Sequence, residues 1–167
     1  MVVSTVTDLT VRRELRPADV DGIVELHRRV YVAEYDRNQA FLDAVRDGVV
    51  AAVADGWPDR AGAVRLIDRG GRLTGSLALT DEGDGVGCVR WVVFERALRG
   101  LGLGRRFVTE LVEEARAAGM RRLELNTYST LRAAAHLYRD AGFRVVSERV
   151  RDDWGPPIVY QHYELDL

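Results

Sequence analysis

Glycines occupy alternate positions in Arg99-Gly100-Leu101-Gly102-Leu103-Gly104-Arg105, a segment between a predicted strand and a long predicted helix. Glycine lets the backbone curl close to a ligand, and neighbouring N–H groups can then point the same way. The positive N-terminal end of the following helix also attracts anions, and Arg99 and Arg105 add charge. These features are typical of a turn that binds a pyrophosphate, although a plain connecting turn can also be rich in glycine.

Two other nucleotide-binding motifs explain these glycines poorly. A Walker loop needs Gly-Lys-Ser/Thr, and this chain has no lysine, so that all 24 of its basic residues are arginine. A Rossmann fingerprint follows the first strand of its unit, and an acidic residue ends the next strand. Here the glycines follow a fourth predicted strand, and the next one ends in Asn126-Thr127.

The motif Arg99-x-x-Gly102-x-Gly104 resembles the acetyl-CoA-binding motif of the GNAT acetyltransferases, which lies after the fourth strand of that fold. One predicted helix and strand later, Ala134-Ala135-His136-Leu137-Tyr138-Arg139-Asp140-Ala141-Gly142-Phe143 is similar to the family's Ala-x-x-Leu-Tyr-x-x-x-Gly-Phe. The chain also looks like the acetyltransferase half of bacterial MarR-type regulator–acetyltransferase fusions. The matching stretches are residues 31–35, residues 99–105 and the tail from Trp154-Gly155 to Tyr163-Glu164-Leu165. The stretch before Thr10 is too short for the DNA-binding half of such fusions, so we expect that half to be absent.

The resemblance implies a site for acetyl-CoA where the fourth strand splays from the fifth. Pantetheine would enter this gap and bond the free backbone groups of Val92, Val93 and Phe94, much like an added strand. Arg99, Gly100, Leu101, Gly102, Leu103, Gly104 and Arg105 would hold the pyrophosphate. Tyr138 would be the general acid that protonates the leaving thiolate, although a tyrosine here could also simply pack between helix and sheet.

Two features of the site are less well defined by the sequence. Many family members have an asparagine seven residues before the tyrosine, and this chain has Leu131 there, with Asn126 or Ser129 as candidate substitutes. Glu34, at the end of the first predicted helix, is the candidate base, and a solvated carboxylate is the alternative reading. Further acidic candidates are Glu82, Asp152 and Asp153.

Three of these acidic candidates, Glu34, Asp152 and Asp153, predict a cationic acceptor, such as a polyamine or an amino sugar. Arginines that lie close in sequence could reverse the local charge; they are Arg28, Arg29, Arg37 and Arg151. The histidines His27, His136 and His162 form no constellation, and we expect each to pack or to lie on the surface. Cys88 is the one cysteine, which excludes an internal disulfide, and we expect no metal site.

The composition is that of a globular protein, and 167 residues predict a single domain over 1–167. A net charge of −2 argues against a nucleic-acid partner, and no apolar run is long enough to span a membrane. The opening residues lack the basic start and apolar stretch of a secretion signal. We therefore expect a cytoplasmic, bacterial protein.

Hydrophobic periodicity places these motifs on an α/β domain of order β-α-α-β-β-β-α-β-α-β-β. Gly70-Gly71 predicts a hairpin, and residues 81–87 predict a second, longer turn. The family resemblance implies a mixed, mostly antiparallel sheet of about seven strands, with about four helices distributed over both faces. The predicted elements cover residues 10–15, 39–54, 63–68, 72–80, 88–94, a helix from 103, 122–127, 131–140, 143–150 and 158–165, with a first helix near residues 20–31.

The leading functional hypothesis is an acetyl-CoA-dependent N-acetyltransferase that acts on the primary amine of a small molecule by direct attack. The alternatives are a non-catalytic acyl-CoA-binding or sensor module and a domain associated with a transcriptional regulator. The resemblance also allows a homodimer.

Overall fold

The computed structural model describes residues 8–58 and 62–167. Residues 1–7, on which the expectation about a secretion signal rests, lie outside the described part, as do residues 59–61. The strands are β1 (Leu9–Arg12), β2 (Ala63–Arg69), β3 (Arg72–Gly83), β4 (Val86–Phe94), β5 (Arg122–Tyr128), β6 (Arg144–Arg151) and β7 (Ile158–Asp166). The helices are α1 (Asp19–His27), α2 (Ala33–Tyr35), α3 (Gln39–Ala54), α4 (Leu103–Ala117) and α5 (Arg132–Asp140), with a π-helical turn at Arg28–Val32 and a 3-10 turn at Arg96–Leu98.

The strands form one sheet in the order β1-β2-β3-β4-β5-β7-β6. Every neighbouring pair is antiparallel except β4 and β5, which run parallel. The ladder between these two pairs only Val86–Cys88 with Arg122–Glu124, so the strands separate beyond Cys88. The prediction of a mixed, mostly antiparallel seven-stranded sheet is confirmed, and the separation opens a gap in its middle.

Helices cover both faces of the sheet, as predicted. On one face α4 packs Phe107, Leu111 and Ala115 against Leu123 and Tyr163, and all five side chains are buried. The fully buried residues of α4 recur three and four positions apart, which is the spacing that gives a helix one apolar side. On the other face α1 and α3 form a second apolar cluster with β2 and β4, and its members include Ile23, Leu42, Val49, Leu66 and Trp91.

The largest local difference from the prediction is the turn between β3 and β4. The strands continue to Gly83 and Val86, which pair, and only Asp84-Gly85 remains as the turn. Both turn residues have positive φ, of 52° and 75°, as a two-residue type I′ hairpin requires. Strand β1 is shorter than predicted, and none of the helices described is long and apolar enough to cross a membrane.

Candidate active site

Two cavities open on either side of the gap between β4 and β5. The first, which we call the loop pocket, has a volume of about 410 Å³. It lies between the end of β4, the glycine-rich loop of residues 99–105 and α5. The second, which we call the aromatic pocket, has about 210 Å³ and lies between β4, β5, α1 and α3. The two pockets share the wall residues Tyr31, Val92, Thr127 and Tyr138. A molecule in one pocket therefore lies next to a molecule in the other.

A bulge in β4 shapes the junction of the pockets. The β3–β4 register changes between Ser76, which pairs with Val93, and Ala78, which pairs with Arg90. Trp91 lies in this bulge with a φ of 49°, a conformation that is costly for a large side chain and needs strong support from its surroundings. Its carbonyl accepts a hydrogen bond from the Ser76 hydroxyl at 2.6 Å. The Tyr31 hydroxyl donates to the carbonyl of Val92 at 3.2 Å and so ties the π-helical turn to β4.

The glycine-rich loop has the geometry of an anion site. Gly100 and Gly102 have φ values of 78° and 75°, and a Cβ on either would meet nothing within 4 Å. Gly102 is the N-cap of α4 and offers no side chain to the first-turn N–H groups. Since the N–H groups of a first helical turn have no intrahelical acceptor, they remain available to a ligand. The loop therefore fits the pyrophosphate of a CoA thioester.

The residues predicted to bind the cosubstrate fall mostly in the loop pocket. Its lining includes Val92, Val93, Phe94, Arg99, Gly100, Gly102, Leu103, Gly104 and Arg105. Leu101 does not line it and is 46% exposed. Asn126 lines the aromatic pocket instead, where its side-chain oxygen contacts His162 Nδ1 at 3.0 Å, and Ser129 lines neither pocket.

The loop pocket is also lined by Thr127, Thr130 and Arg132, which the sequence motifs did not indicate. Arg132 is exposed and has no carboxylate within ion-pair distance in the described part of the chain. In the sequence, Arg132 could have been recognised as a pocket residue from its position one residue after Leu131, at the start of α5. Arg132 adds a positive charge to the pocket that no carboxylate of the described residues neutralises, whereas Arg99 and Arg105 are each paired with a carboxylate.

Arg99 and Glu34 form a two-point ion pair, with distances of 2.8 and 3.0 Å. This pairing with Arg99 lowers the pKa of the Glu34 carboxyl. A lower pKa makes the carboxylate a weaker base, and Glu34 lines neither pocket. The geometry thus gives no support to Glu34 as the base and instead makes it the anchor of Arg99. Arg105 is also paired, with Asp140 at 2.7 Å.

Tyr138 lies on the wall that the two pockets share. It is 3% exposed, lines both pockets, and packs its ring against Phe143 and Tyr163. Burial raises the pKa of its phenol well above the usual range. The hydroxyl therefore keeps its proton at neutral and moderately alkaline pH, as a proton donor must.

The aromatic pocket does not contain the acidic residues that the sequence suggested. None of Glu34, Glu82, Asp152 and Asp153 lines it. Asp153 is bound to Arg151 at 2.7 and 2.9 Å, and this bond lowers its pKa. The lining is mainly aromatic, and it includes Tyr31, Phe41, Trp91, Tyr128, Trp154 and Tyr160. The carboxylates on which the expectation of a cationic acceptor was based therefore do not lie in this pocket.

His27 also lines the aromatic pocket, a role that its position on the apolar side of α1 did not indicate. Its Nδ1 lies 2.8 Å from the carbonyl oxygen of Ile23. A carbonyl only accepts, so Nδ1 carries the hydrogen and Nε2 keeps its lone pair. Burial lowers the pKa of His27 to about 4, so that the ring is neutral near pH 7.

One group of side chains in the described residues has the composition of a metal site. Ligand atoms of Glu124, His162 and Glu164 lie within 4.8 Å of one another on β5 and β7. Arg122 lies 3.6 Å from Glu164 and accounts for part of this negative charge. All three side chains are partly exposed, and we propose no metal for them.

Several solved structures share the fold across nearly the whole chain. An acetyltransferase of the GNAT family from Streptococcus pneumoniae has 22% identity and a TM-score of 0.70, with 96% of this chain and 100% of that chain covered. For yncA from Salmonella typhimurium, solved with its cofactor acetyl-CoA, the values are 22%, 0.69, 96% and 95%. For a spermidine N-acetyltransferase SpeG chimera from Vibrio cholerae and hSSAT they are 16%, 0.68, 96% and 96%.

The sequence itself matches one family over most of its length. Residues 10–143 match the family described as "Acetyltransferase (GNAT) family". The matched range contains β1 from Thr10 onward, the splayed strands, the glycine-rich loop and Tyr138. The likeness to the acetyltransferase half of regulator fusions stays a prediction from sequence. From the fold, the loop and this match together, the chain belongs to the GNAT acetyltransferase family.

Proposed function

We propose that this acetyltransferase transfers the acetyl group of acetyl-CoA directly to the primary amine of a small molecule. The observation that carries the proposal is the shared wall of the two pockets, which contains Tyr31, Val92, Thr127 and Tyr138. A thioester at the inner end of the loop pocket would face an amine in the aromatic pocket. Such proximity is itself a large part of catalysis, because it makes a bimolecular step effectively unimolecular.

The chain offers a separate group for each part of acetyl-CoA. The N–H groups of the first turn of α4, together with Arg132, would hold phosphates. The backbone of Val92 to Phe94 borders the gap into which the pantetheine arm would run. The yncA structure, which contains acetyl-CoA, supports this choice of cosubstrate.

The transfer needs one bond to form and one to break. The amine nitrogen attacks the thioester carbon, the C–N bond forms, and the C–S bond breaks with its electron pair on sulfur. Tyr138 donates its proton to this thiolate. The proton that the amine loses passes to water, and the bare Nε2 of His27 is a neutral hydrogen-bond acceptor on the same pocket wall.

A non-catalytic acyl-CoA sensor is the alternative, and one observation favours it: no carboxylate of the described residues lines the aromatic pocket as a base. Release of free thiol from acetyl-CoA, measured with and without a panel of amines, separates the two functions. We expect amine-dependent release together with an N-acetylated product by mass spectrometry. Tight binding of acetyl-CoA without amine-dependent release would support the sensor.

A further inference from the structure

Arg37 is a buried cation without a carboxylate partner among the described residues. It is 5% exposed, its Nε donates to the carbonyl of Tyr35 at 2.7 Å, and its Nη2 reaches the carbonyl of Pro156 only at 3.5 Å. Arg65 is also strongly buried, but its guanidinium pairs with two carboxylates, those of Glu110 and Glu114. A buried charge without a counter-charge is costly. The protein thus holds an unneutralised guanidinium at this point.

Tyr128 places a second unsatisfied donor next to Arg37. It is 4% exposed and lines the aromatic pocket, and its hydroxyl has no hydrogen-bond partner. The guanidinium carbon of Arg37 lies 5.1 Å from the centre of its ring. Arginine carries only donors, so it cannot accept the hydroxyl proton of Tyr128. Tyr128 therefore presents a neutral donor on the wall of the pocket, and the charge of Arg37, which does not line the pocket itself, lies beside its ring.

The charge around the pocket has the same sign. Arg90 lines it, stacks on Trp91 at 4.7 Å, and has its nearest carboxylate, Glu82, at 4.0 Å. Arg151 covers the ring of Trp154 at 3.4 Å, although Asp153 neutralises it. An acceptor with several positive charges would meet cations here and no lining carboxylate.

We propose that the aromatic pocket binds an amine that also carries a carboxylate, which accepts a hydrogen bond from the Tyr128 hydroxyl and is attracted by the charge of Arg37 beside that ring. This rests on the proposed acetyl transfer and names its acceptor class. The rings of Phe41 and Trp154, 5.5 Å apart, would contact an apolar body. The cavity of about 210 Å³ is smaller than the roughly 300–1,000 Å³ of pockets for drug-sized ligands. The acceptor is thus of the size of an amino acid with an apolar side chain.

The wild-type protein tests this with acceptors that differ only in the carboxylate. We compare L-phenylalanine with phenethylamine, and L-leucine with isopentylamine, as kcat/KM corrected for the fraction of free amine. A charge-assisted hydrogen-bond pair predicts a preference of about tenfold to a hundredfold for the carboxylate in each pair. Equal or faster turnover of both decarboxylated partners, or spermidine as the best substrate, would overturn the proposal.

Variants then assign the preference to its residues. Arg37→Gln should bring the two members of each pair close together, because the loss falls mainly on the member with the carboxylate. Arg116→Gln, at an exposed site on α4, is the matched control and should keep the full preference. If Arg37→Gln does not fold, Tyr128→Phe decides, with an expected loss of about 2- to 10-fold for the carboxylate substrate only. An unchanged preference in the folded variants would contradict the assignment.

Binding measurements separate this proposal from the proposed function. Calorimetry with CoA present compares N-acetyl-L-phenylalanine with N-acetylphenethylamine. If amines are acetylated without regard to the carboxylate, the acceptor class is wrong and the acetyl transfer stands. If no amine is acetylated, the proposed function fails, and tighter binding of N-acetyl-L-phenylalanine that Arg37→Gln abolishes would still support the carboxylate site. Equal binding, or no binding of either compound, would overturn it.

Discussion

Tyr138 is the residue on which the chemical step depends in this mechanism. Tyr138→Phe removes one hydroxyl and little volume, so we expect turnover to fall by roughly 10²–10⁴, the range for a positioned proton donor. The affinity for CoA should stay unchanged. Steady-state kinetics and calorimetry on the same preparation measure both quantities.

Tyr163→Phe is the matched control for this prediction. Tyr163 is equally buried, lines neither pocket and bonds Gln161 at 3.1 Å. Turnover at the wild-type rate in Tyr138→Phe would show that water protonates the sulfur.

Single residues were predictable from sequence only where a local motif defines them. The loop glycines and Tyr138 lie in contiguous motifs, and the structure brings them to one cavity. The partner of Glu34 lies 65 positions away, at Arg99, so no local pattern could reveal that pair. The same holds for Arg37 and Tyr128, which lie 91 positions apart, one just after α2 and the other at the end of β5.

At the scale of elements, the two ends of α4 offer a direct test of the glycine-rich loop. Gly102 precedes the helix with a φ of 75° and Gly119 follows it with a φ of 77°, and a Cβ on either meets no atom within 4 Å. Gly102→Val and Gly119→Val should therefore cost similar stability, about 1–3 kcal/mol, through backbone strain alone. Only Gly102→Val should weaken CoA binding, which calorimetry on both folded variants measures. Equal affinity in the two would exclude the loop as the phosphate site.

Helix α1 should make the stability of the fold sensitive to pH through His27. The pKa of His27 falls from 6.5 to about 4 on folding, because the ring is buried. Between these pH values the unfolded chain binds a proton that the folded chain does not. The contribution of His27 to the free energy of unfolding is therefore present above pH 6.5 and is lost as the pH falls toward 4. The loss is about 2 kcal/mol between pH 7 and pH 5.

Denaturant unfolding at pH 7 and pH 5 measures this contribution as a difference between variants. His27→Phe should remove about 2 kcal/mol of the pH dependence. The same change in unfolding free energy between pH 7 and pH 5 in wild type and His27→Phe would mean that His27 does not titrate as a buried group.

Elements were predictable wherever periodicity and turn residues agree. Helix α3 begins and ends at the predicted residues, and the Asn38 side chain accepts from the N–H of Phe41 as an N-cap. The π-helical turn at Arg28–Val32 and the bulge at Trp91 were not predicted. Both depend on tertiary contacts, such as the bond from Tyr31 to Val92, which leave no periodic trace in the sequence.

At the scale of the whole molecule, the absence of lysine limits self-acetylation. Acetyl-CoA reacts with free amines, and this chain offers only its N-terminal amine, since arginine stays charged and is a poor nucleophile. Burial raises the pKa of Cys88 to about 12, which disfavours its thiolate.

An untagged protein incubated with acetyl-CoA should therefore gain at most one acetyl group that resists hydroxylamine. Intact mass followed by peptide mapping checks this. Two or more such groups would show that a side chain is activated in a way that the structure does not explain.

The two pockets and their shared wall are tested most directly by a bisubstrate compound. In it, the sulfur of CoA is joined through a two-carbon acyl bridge to the nitrogen of phenylalanine. Because the tethered acceptor binds at a high effective concentration, we predict an affinity at least about 100-fold above that of CoA alone, measured by calorimetry. An affinity equal to that of CoA would contradict a direct transfer from the loop pocket to an amino acid of this kind in the aromatic pocket.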